Sequence, residues 1–271
     1  WGIYISLSIY INNYLKTMTY CIGIKTKDGI VVASDSRTNA GLDNVNIYSK
    51  MFTYDVGDRT VLIVTSGNLG TSQAVYKSIE KDLEDNSGKK NLNTCEDFDQ
   101  VAKYIGALNL KHSSPKGMNT DTVLLGSTFI VGGQIKGQKH EAYLVYPQGN
   151  HITTSRDTSF LQIGESKYGK PILDRVLAPE LNLETSAMAA LVSMDSTIRS
   201  NLGVGPPIEL LIYRADALQL DQPHRFEEDS DFLRDLKRNW DARLKDAFRQ
   251  MPPLAWATNW DRSDREQNGV S

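Results

Sequence analysis

Short apolar runs separated by turn residues open the regular part of the chain. Tyr20 to Lys25 and Ile30 to Ser34 flank Lys27-Asp28-Gly29, a hairpin signature. Two more strand-like runs follow, Met51 to Tyr54 and Thr60 to Thr65, joined by a turn at Gly57-Asp58, and Ser66-Gly67-Asn68 then breaks the strand. From Thr71 to Leu83 the period changes: Ala74, Val75, Ile79 and Leu83 recur at helical spacing. Beyond a polar loop from Asp85 to Lys90, Glu96 to Leu110 predicts a second amphipathic helix carrying Phe98, Val101, Ala102, Ile105 and Leu108.

The second half repeats this order. Strand-like runs occur at Ser127 to Val131, Glu141 to Tyr146, His151 to Thr154 and Phe160 to Ile163. Helices are predicted over Lys170 to Leu177 and Thr185 to Arg199, and a last strand pair, Ile208 to Tyr213 and Ala217 to Leu220, closes the domain. Strands followed by helices, twice over, are not an alternating βαβ pattern and predict an α+β layered fold. Two sheets packed face to face, with a helix pair on each outer side, bury all four amphipathic stripes: a four-layer αββα sandwich.

Beyond Gln222 the pattern changes again. Phe226 to Arg249 alternates charge signs densely yet keeps a stripe of Phe232, Leu233, Leu236, Trp240, Leu244 and Phe248. This predicts a long amphipathic helix that stops before Met251-Pro252-Pro253, because proline cannot continue it. Trp240, with Trp256 and Trp260 beyond, suits a subunit contact, since aromatic residues are enriched at interface cores. The expected organisation is therefore residues 1–18 as a leader or upstream segment, 19–222 as the sandwich domain, and 223–271 as a C-terminal helix and tail. The stretch from Trp1 to Thr17 is apolar but short for a membrane span, and it lacks the positive start and small-residue cleavage site of a signal peptide.

Composition narrows the classes. A formal net charge of -3 gives no electrostatic case for nucleic acid. Cys21 and Cys95 form no CxxC and have no histidines at ligand spacing, so a zinc site is not expected, and two buried thiols in a reducing cytosol are. None of the four histidines is assigned chemistry.

Candidate chemistry comes from the first hairpin. Turned about Asp28-Gly29, it carries Asp35 back to the neighbourhood of Thr19 to Cys21. Thr19 directly follows Met18. An aminopeptidase removes an initiator methionine before a small residue, which leaves a free α-amine on Thr19. That amine has a pKa of about 8, low enough to accept a proton near neutrality and to serve the hydroxyl of its own residue as base. Lys50, the next basic residue after Arg37, would keep its charge beside Asp35 and supply positive potential to the nucleophile. Alone, each has a plainer reading: Thr19 as a strand residue, Asp35 as a turn cap, Lys50 as solvated surface.

Together these residues carry a resemblance. Thr19-Tyr20-Cys21-Ile22-Gly23-Ile24, then Ala33-Ser34-Asp35-Ser36-Arg37, then Lys50, resemble the N-terminal Thr, Asp and Lys of proteasome β subunits, a family of N-terminal nucleophile hydrolases. Ser66-Gly67 resembles the turn whose backbone N–H forms that family's oxyanion hole. The strings Ser36 to Gly41, Gly164 to Pro171, and Arg199-Ser200-Asn201 before Gly205-Pro206-Pro207 resemble its bacterial ancestral beta subunits, as does the long charged C-terminal helix. The similarity runs from about Met18 to Arg249.

The resemblance implies a threonine-type peptidase or amide hydrolase that forms a threonyl ester and needs no metal or organic cofactor. It also implies a cytoplasmic homo-oligomer, a ring or ring-like stack with the sites inside, taking peptides or unfolded protein, with no nucleic acid or membrane partner; an unfoldase partner is left open. Gly67 would donate to the oxyanion, a contact worth about 3 kcal/mol. The chain also departs from the family. Where proteasome subunits carry a serine in a glycine turn, it has Gly164-Glu165-Ser166; near the family's Asp and Ser after the last long helix stand Ser200 and Gly203. Ser166 and Ser200 are the candidates for bonding the α-amine. Met18 replaces the glycine that precedes the threonine in self-processing subunits, which favours aminopeptidase over autolysis. A scaffold that keeps the fold and binds peptides or partner proteins is the alternative, and a non-peptide amidase or ligase is a third reading.

Overall fold

A computed structural model describes residues 19–39, 45–85, 87–113, 125–178, 180–254 and 256. The expected leader, Met18, the end of the Ser36 to Gly41 string and Trp260 lie outside these residues. The chain divides into two compact units, one through Ser230 and one from Asp231.

In the first unit, β1 (Tyr20–Thr26) and β2 (Gly29–Asp35) form the predicted hairpin. A short hairpin that sequence patterning did not mark, β3 (Arg37–Asn39) and β4 (Val45–Ile47), comes next. Then follow β5 (Met51–Val56), β6 (Arg59–Gly67), α1 (Leu69–Glu84) and α2 (Phe98–Ser113). The second half contributes β7 (Ser127–Ile135), β8 (Glu141–Val145), β9 (His151–Thr153), β10 (Phe160–Gly164), α3 (Lys170–Val176), α4 (Leu183–Ser200), β11 (Ile208–Arg214) and β12 (His224–Phe226).

Two five-stranded sheets result, ordered β10-β1-β2-β11-β12 and β5-β6-β7-β8-β9. They pack face to face through Cys21, Val32, Leu62, Val64, Ile130, Ile163 and Leu211, all buried. On the outer side of the second sheet, α1 and α2 bury Val75, Ile79, Val101 and Ile105 against Val61, Ile63, Phe129 and Val131. Odd and even residues of β6 thus serve opposite cores, as the period-2 alternation of a doubly covered strand requires. On the far side of the first sheet, α4 packs on β1, β2 and β11, with α3 against it. The expected αββα sandwich is the observed architecture.

Helix entry follows local chemistry. Asn68 caps α1 by accepting the Thr71 N–H at 3.0 Å, and Asn182 caps α4 through the Thr185 N–H at 2.8 Å. The predicted strand over Ala217 to Leu220 is corrected. Asp216 and Leu218 adopt left-handed backbone angles (φ 64° and 49°), which no strand accommodates, and the residues that pair with β11 are His224–Phe226. In the second unit the helix runs Asp231–Arg249 (α5), later than the predicted start at Phe226, and it has no buried residue of its own.

Candidate active site

The site is built where the first hairpin closes. Register pairs Cys21 with Ser34, so the last residue of β2, Asp35, comes level with Tyr20. The Tyr20 N–H donates to Asp35 Oδ1 at 3.0 Å, one residue after Thr19. Asp35 is completely buried. Lys50, 5% exposed, donates its Nζ to the same oxygen at 2.6 Å and to the Arg37 carbonyl at 2.6 Å. A longer contact, 3.4 Å, runs from the Gly205 N–H to Oδ2. Burial pushes the Asp35 carboxyl above the usual carboxylate range, while Lys50 and the two backbone N–H groups oppose that push. Lys50 stands directly before β5, and its carbonyl accepts the Thr65 N–H at 3.2 Å, which ties the ammonium to the second sheet. Thr19, Asp35 and Lys50, read together from spacing, are brought together.

Gly67 ends β6 two residues beyond Thr65, opposite Ser127. Its φ is +108°, and an added Cβ would lie 2.9 Å from the Gly126 carbonyl oxygen, so only glycine fits without a shift. Hydroxyls brace this turn. Thr65 Oγ1 and Ser72 Oγ are 2.9 Å apart, Ser72 Oγ and Ser127 Oγ 2.9 Å, and Ser127 donates to the Asn68 carbonyl at 2.8 Å. The strand therefore stops in a fixed geometry directly ahead of the α1 N-terminus.

On the other side of β1, Gly164 pairs with Tyr20. It has φ +82°, and a Cβ there would sit 1.9 Å from the Thr19 carbonyl oxygen, which excludes any side chain. The next residue, Glu165, donates its N–H to that same oxygen at 2.7 Å. Its carboxylate is turned inward, 5% exposed, accepting the Lys167 N–H and the Asn201 side-chain amide, each at 3.1 Å. Ser166 is half-buried, and its carbonyl starts the turn into α3 by accepting the Lys170 N–H at 3.1 Å. Ser200 ends α4 with an exposed side chain; the side chain that reaches Glu165 is that of its neighbour, Asn201.

Two further residues carry the site without having been assigned a role from sequence. Arg37 Nη1 donates to the Leu202 carbonyl at 3.0 Å, and its guanidinium lies over Gly205, where an added Cβ would be 2.5 Å from Cζ. Arg37 thereby holds the loop whose Gly205 N–H reaches Asp35. Asn201 bonds Glu165 and accepts the Gly203 N–H at 2.8 Å. Spacing does not reveal either role, because each depends on contacts more than 30 residues away in sequence.

The thiols are free and buried. Burial pushes the Cys21 thiol far up, and its Sγ lies 3.5 Å from the Thr65 carbonyl, so it is no nucleophile. Among the described residues no group of His, Cys, Asp or Glu is arranged to hold a metal ion, and no helix is long and apolar enough to cross a membrane.

A face-to-face double sheet between helix pairs, with a threonine at the head of β1 beside a buried Asp–Lys pair, defines the N-terminal nucleophile hydrolase fold. The model of the proteasome subunit family matches residues 15–212. A proteasome subunit beta of Haloquadratum walsbyi is 23% identical over 79% of this chain and 80% of that protein. Anbu, the ancestral beta-subunit, from Yersinia bercovieri superposes with a TM-score of 0.81 at 35% identity, covering 87% of this chain and 98% of that one. The helical assembly of the Anbu complex from Pseudomonas aeruginosa gives a TM-score of 0.79 at 43% identity over 89% and 100%. The chain belongs to the proteasome subunit family, on its ancestral beta-subunit (Anbu) branch.

Proposed function

We propose that this chain is a threonine-type N-terminal nucleophile hydrolase whose working amino terminus is Thr19. One observation carries the reading: a fully buried carboxylate, Asp35, grips both Lys50 Nζ and the N–H of the residue that follows Thr19. Burying a charge pair is costly and is not by itself a source of stability, so its placement beside a threonine at a strand head argues for chemistry.

With Met18 removed, the Thr19 α-amine takes the proton from the Thr19 hydroxyl as Oγ attacks a carbonyl carbon. Lys50 supplies positive potential at the nucleophile, and Asp35 orients Lys50. The oxyanion is met by the Gly67 N–H, in the turn braced by Thr65, Ser72 and Ser127. The tetrahedral adduct collapses to a threonyl ester as the leaving amine takes the proton, and water then releases the acyl group. Ser166, next to the Glu165 that bonds the Thr19 carbonyl, is the candidate to orient the amine; Ser200 has the weaker claim, since its side chain is exposed. The substrate class is peptide or other amide bonds. Residues 19–222 are the hydrolase domain, 1–18 a leader that is removed or a segment upstream of the native start, and 223–271 a subunit contact within a cytoplasmic homo-oligomer. The helical assembly of the Pseudomonas aeruginosa relative and the exposed Phe232, Leu244 and Phe248 of α5 support that assembly.

The test is intact-protein mass spectrometry on protein expressed from Met18, before and after an epoxyketone, which needs both the amine and the hydroxyl of an N-terminal threonine. Loss of Met and a single adduct, abolished in Thr19→Ala, is the expected result. A free Thr19 that takes no adduct would overturn the reading in favour of a peptide-binding scaffold, the alternative that the exposed Ser200 favours.

A further inference from the structure

Two buried carboxylates flank Thr19, and they are not equivalent. Asp35 is matched by the Lys50 ammonium at 2.6 Å. Glu165 is also buried, yet its only partners among the described residues are neutral: the Lys167 N–H and the Asn201 amide. A carboxylate offers about four acceptor positions, so about two remain open. A buried anion without a countercharge is a costly arrangement that folded proteins resolve by pairing.

Position says where the missing cation would come from. Continuing the β1–β10 register one step beyond Tyr20↔Gly164 sets Glu165 opposite Thr19, and the 2.7 Å bond from Glu165 N to the Thr19 carbonyl locks that pairing. While Met18 is attached, the Thr19 nitrogen is a neutral amide. Once it is removed, the same atom is an ammonium.

We propose that Glu165 is the counter-ion of the α-ammonium released at Thr19, held in its rotamer by Asn201. It acts as a positioning residue, through the amine that serves as base. The inference rests on Thr19 being the working terminus. No other described charge competes for the role. Asp35 and Lys50 satisfy one another, Arg37 donates through Nη1 to the Leu202 carbonyl with its guanidinium against Gly205, and the Lys167 side chain is exposed. The Tyr20 phenol is pushed up to about 12 by burial and stays neutral. On α4, which packs on β1, Asp195 and Arg199 both have partners of their own.

The consequence is a base tuned for a higher pH. An adjacent anion stabilises the protonated amine, so the amine pKa rises above the ordinary terminal value of about 8. Near neutrality a larger fraction of the molecules then has its base already protonated, which slows attack while the terminus stays fixed. The pairing also couples removal of Met18 to the order of the site, because the ammonium satisfies Glu165 only after processing.

The test uses the full chain released from a cleavable N-terminal fusion that ends directly before Thr19, so that the amine is free in every variant. The amine pKa is read by competitive acetylation across a pH series, with mass spectrometry of the N-terminal peptide. This reports the amine whether or not the protein hydrolyses anything. Wild type is expected to titrate about one unit above the ordinary α-amine. Glu165→Gln, which keeps the shape and one of the two accepted hydrogen bonds but removes the charge, should bring it back to about 8 and shift the pH profile of epoxyketone adduct formation to lower pH by the same amount. Glu165→Asp should restore part of the shift, and Asn201→Ala, which loosens the carboxylate, should give an intermediate value. An identical amine pKa in wild type, Glu165→Gln and Asn201→Ala would overturn the proposal. Failure of the hydrolase reading looks different: a raised, Glu165-dependent amine pKa with no adduct in any variant.

Discussion

The inter-sheet core and the Thr19 cluster are built from the same strands a few residues apart, and they bury opposite kinds of surface. Along β2, Ile30 and Val32 fill the space between the sheets with Cys21, Leu62 and Leu211. At the end of the same strand, Asp35 is buried as completely, but with an ammonium and two backbone N–H groups closed around it. Apolar burial of this kind contributes about 25 cal/mol per Å² and is the source of stability. The charged end is at best neutral in that account. The contrast separates the part of the hairpin that holds the fold from the part that positions chemistry.

Substitutions sharpen this division. Lys50→Ala leaves Asp35 buried without its cation and is expected to destabilise the protein by about 3–5 kcal/mol in urea unfolding, along with loss of epoxyketone labelling. Replacing both partners, Asp35→Asn with Lys50→Met, should recover most of that stability and none of the labelling. Recovery of labelling would show that the pair acts only through the fold. In the core, Leu62→Ala should cost about 2–5 kcal/mol, with labelling per folded molecule unchanged.

The pH dependence distinguishes the two ends again. The Asp35 carboxyl is raised in the folded state, so between the ordinary value of about 3.9 and its folded value the native protein binds the extra proton. Its contribution to stability is therefore present below about 3.9 and is lost as pH rises through the folded value. Reactivity runs the other way, because only the ionised carboxylate orients Lys50: labelling should fall as pH drops through the same range. Melting temperature and labelling rate across pH, for wild type and Asp35→Asn, check both signs. The smallest effect belongs to a local cap. Asn68→Ala removes the α1 N-cap and should cost about 1 kcal/mol in thermal unfolding.

Local pattern alone determined most of the architecture. Strand and helix periods, the Asp28-Gly29 turn and the proline stop after α5 are encoded within a few residues of where they act, so the four layers were legible in sequence. The juxtaposition of Thr19, Asp35 and Lys50 was legible because two of the three lie on one short hairpin. The outer strand beside β11 was misplaced: Ala217 to Leu220 has the right composition, but left-handed angles at Asp216 and Leu218 turn the chain away. The β3–β4 hairpin carries too few residues to show a period. Glu165 marks the clearest boundary. In sequence it is only a glutamate where the family has a serine. Tertiary structure decided that it is buried, that its N–H bonds the Thr19 carbonyl, and that Asn201, 36 residues away, bonds its carboxylate. Burial and pairing of a charge depend on what surrounds it from every direction, and that information exists only once the sheets and α4 have closed.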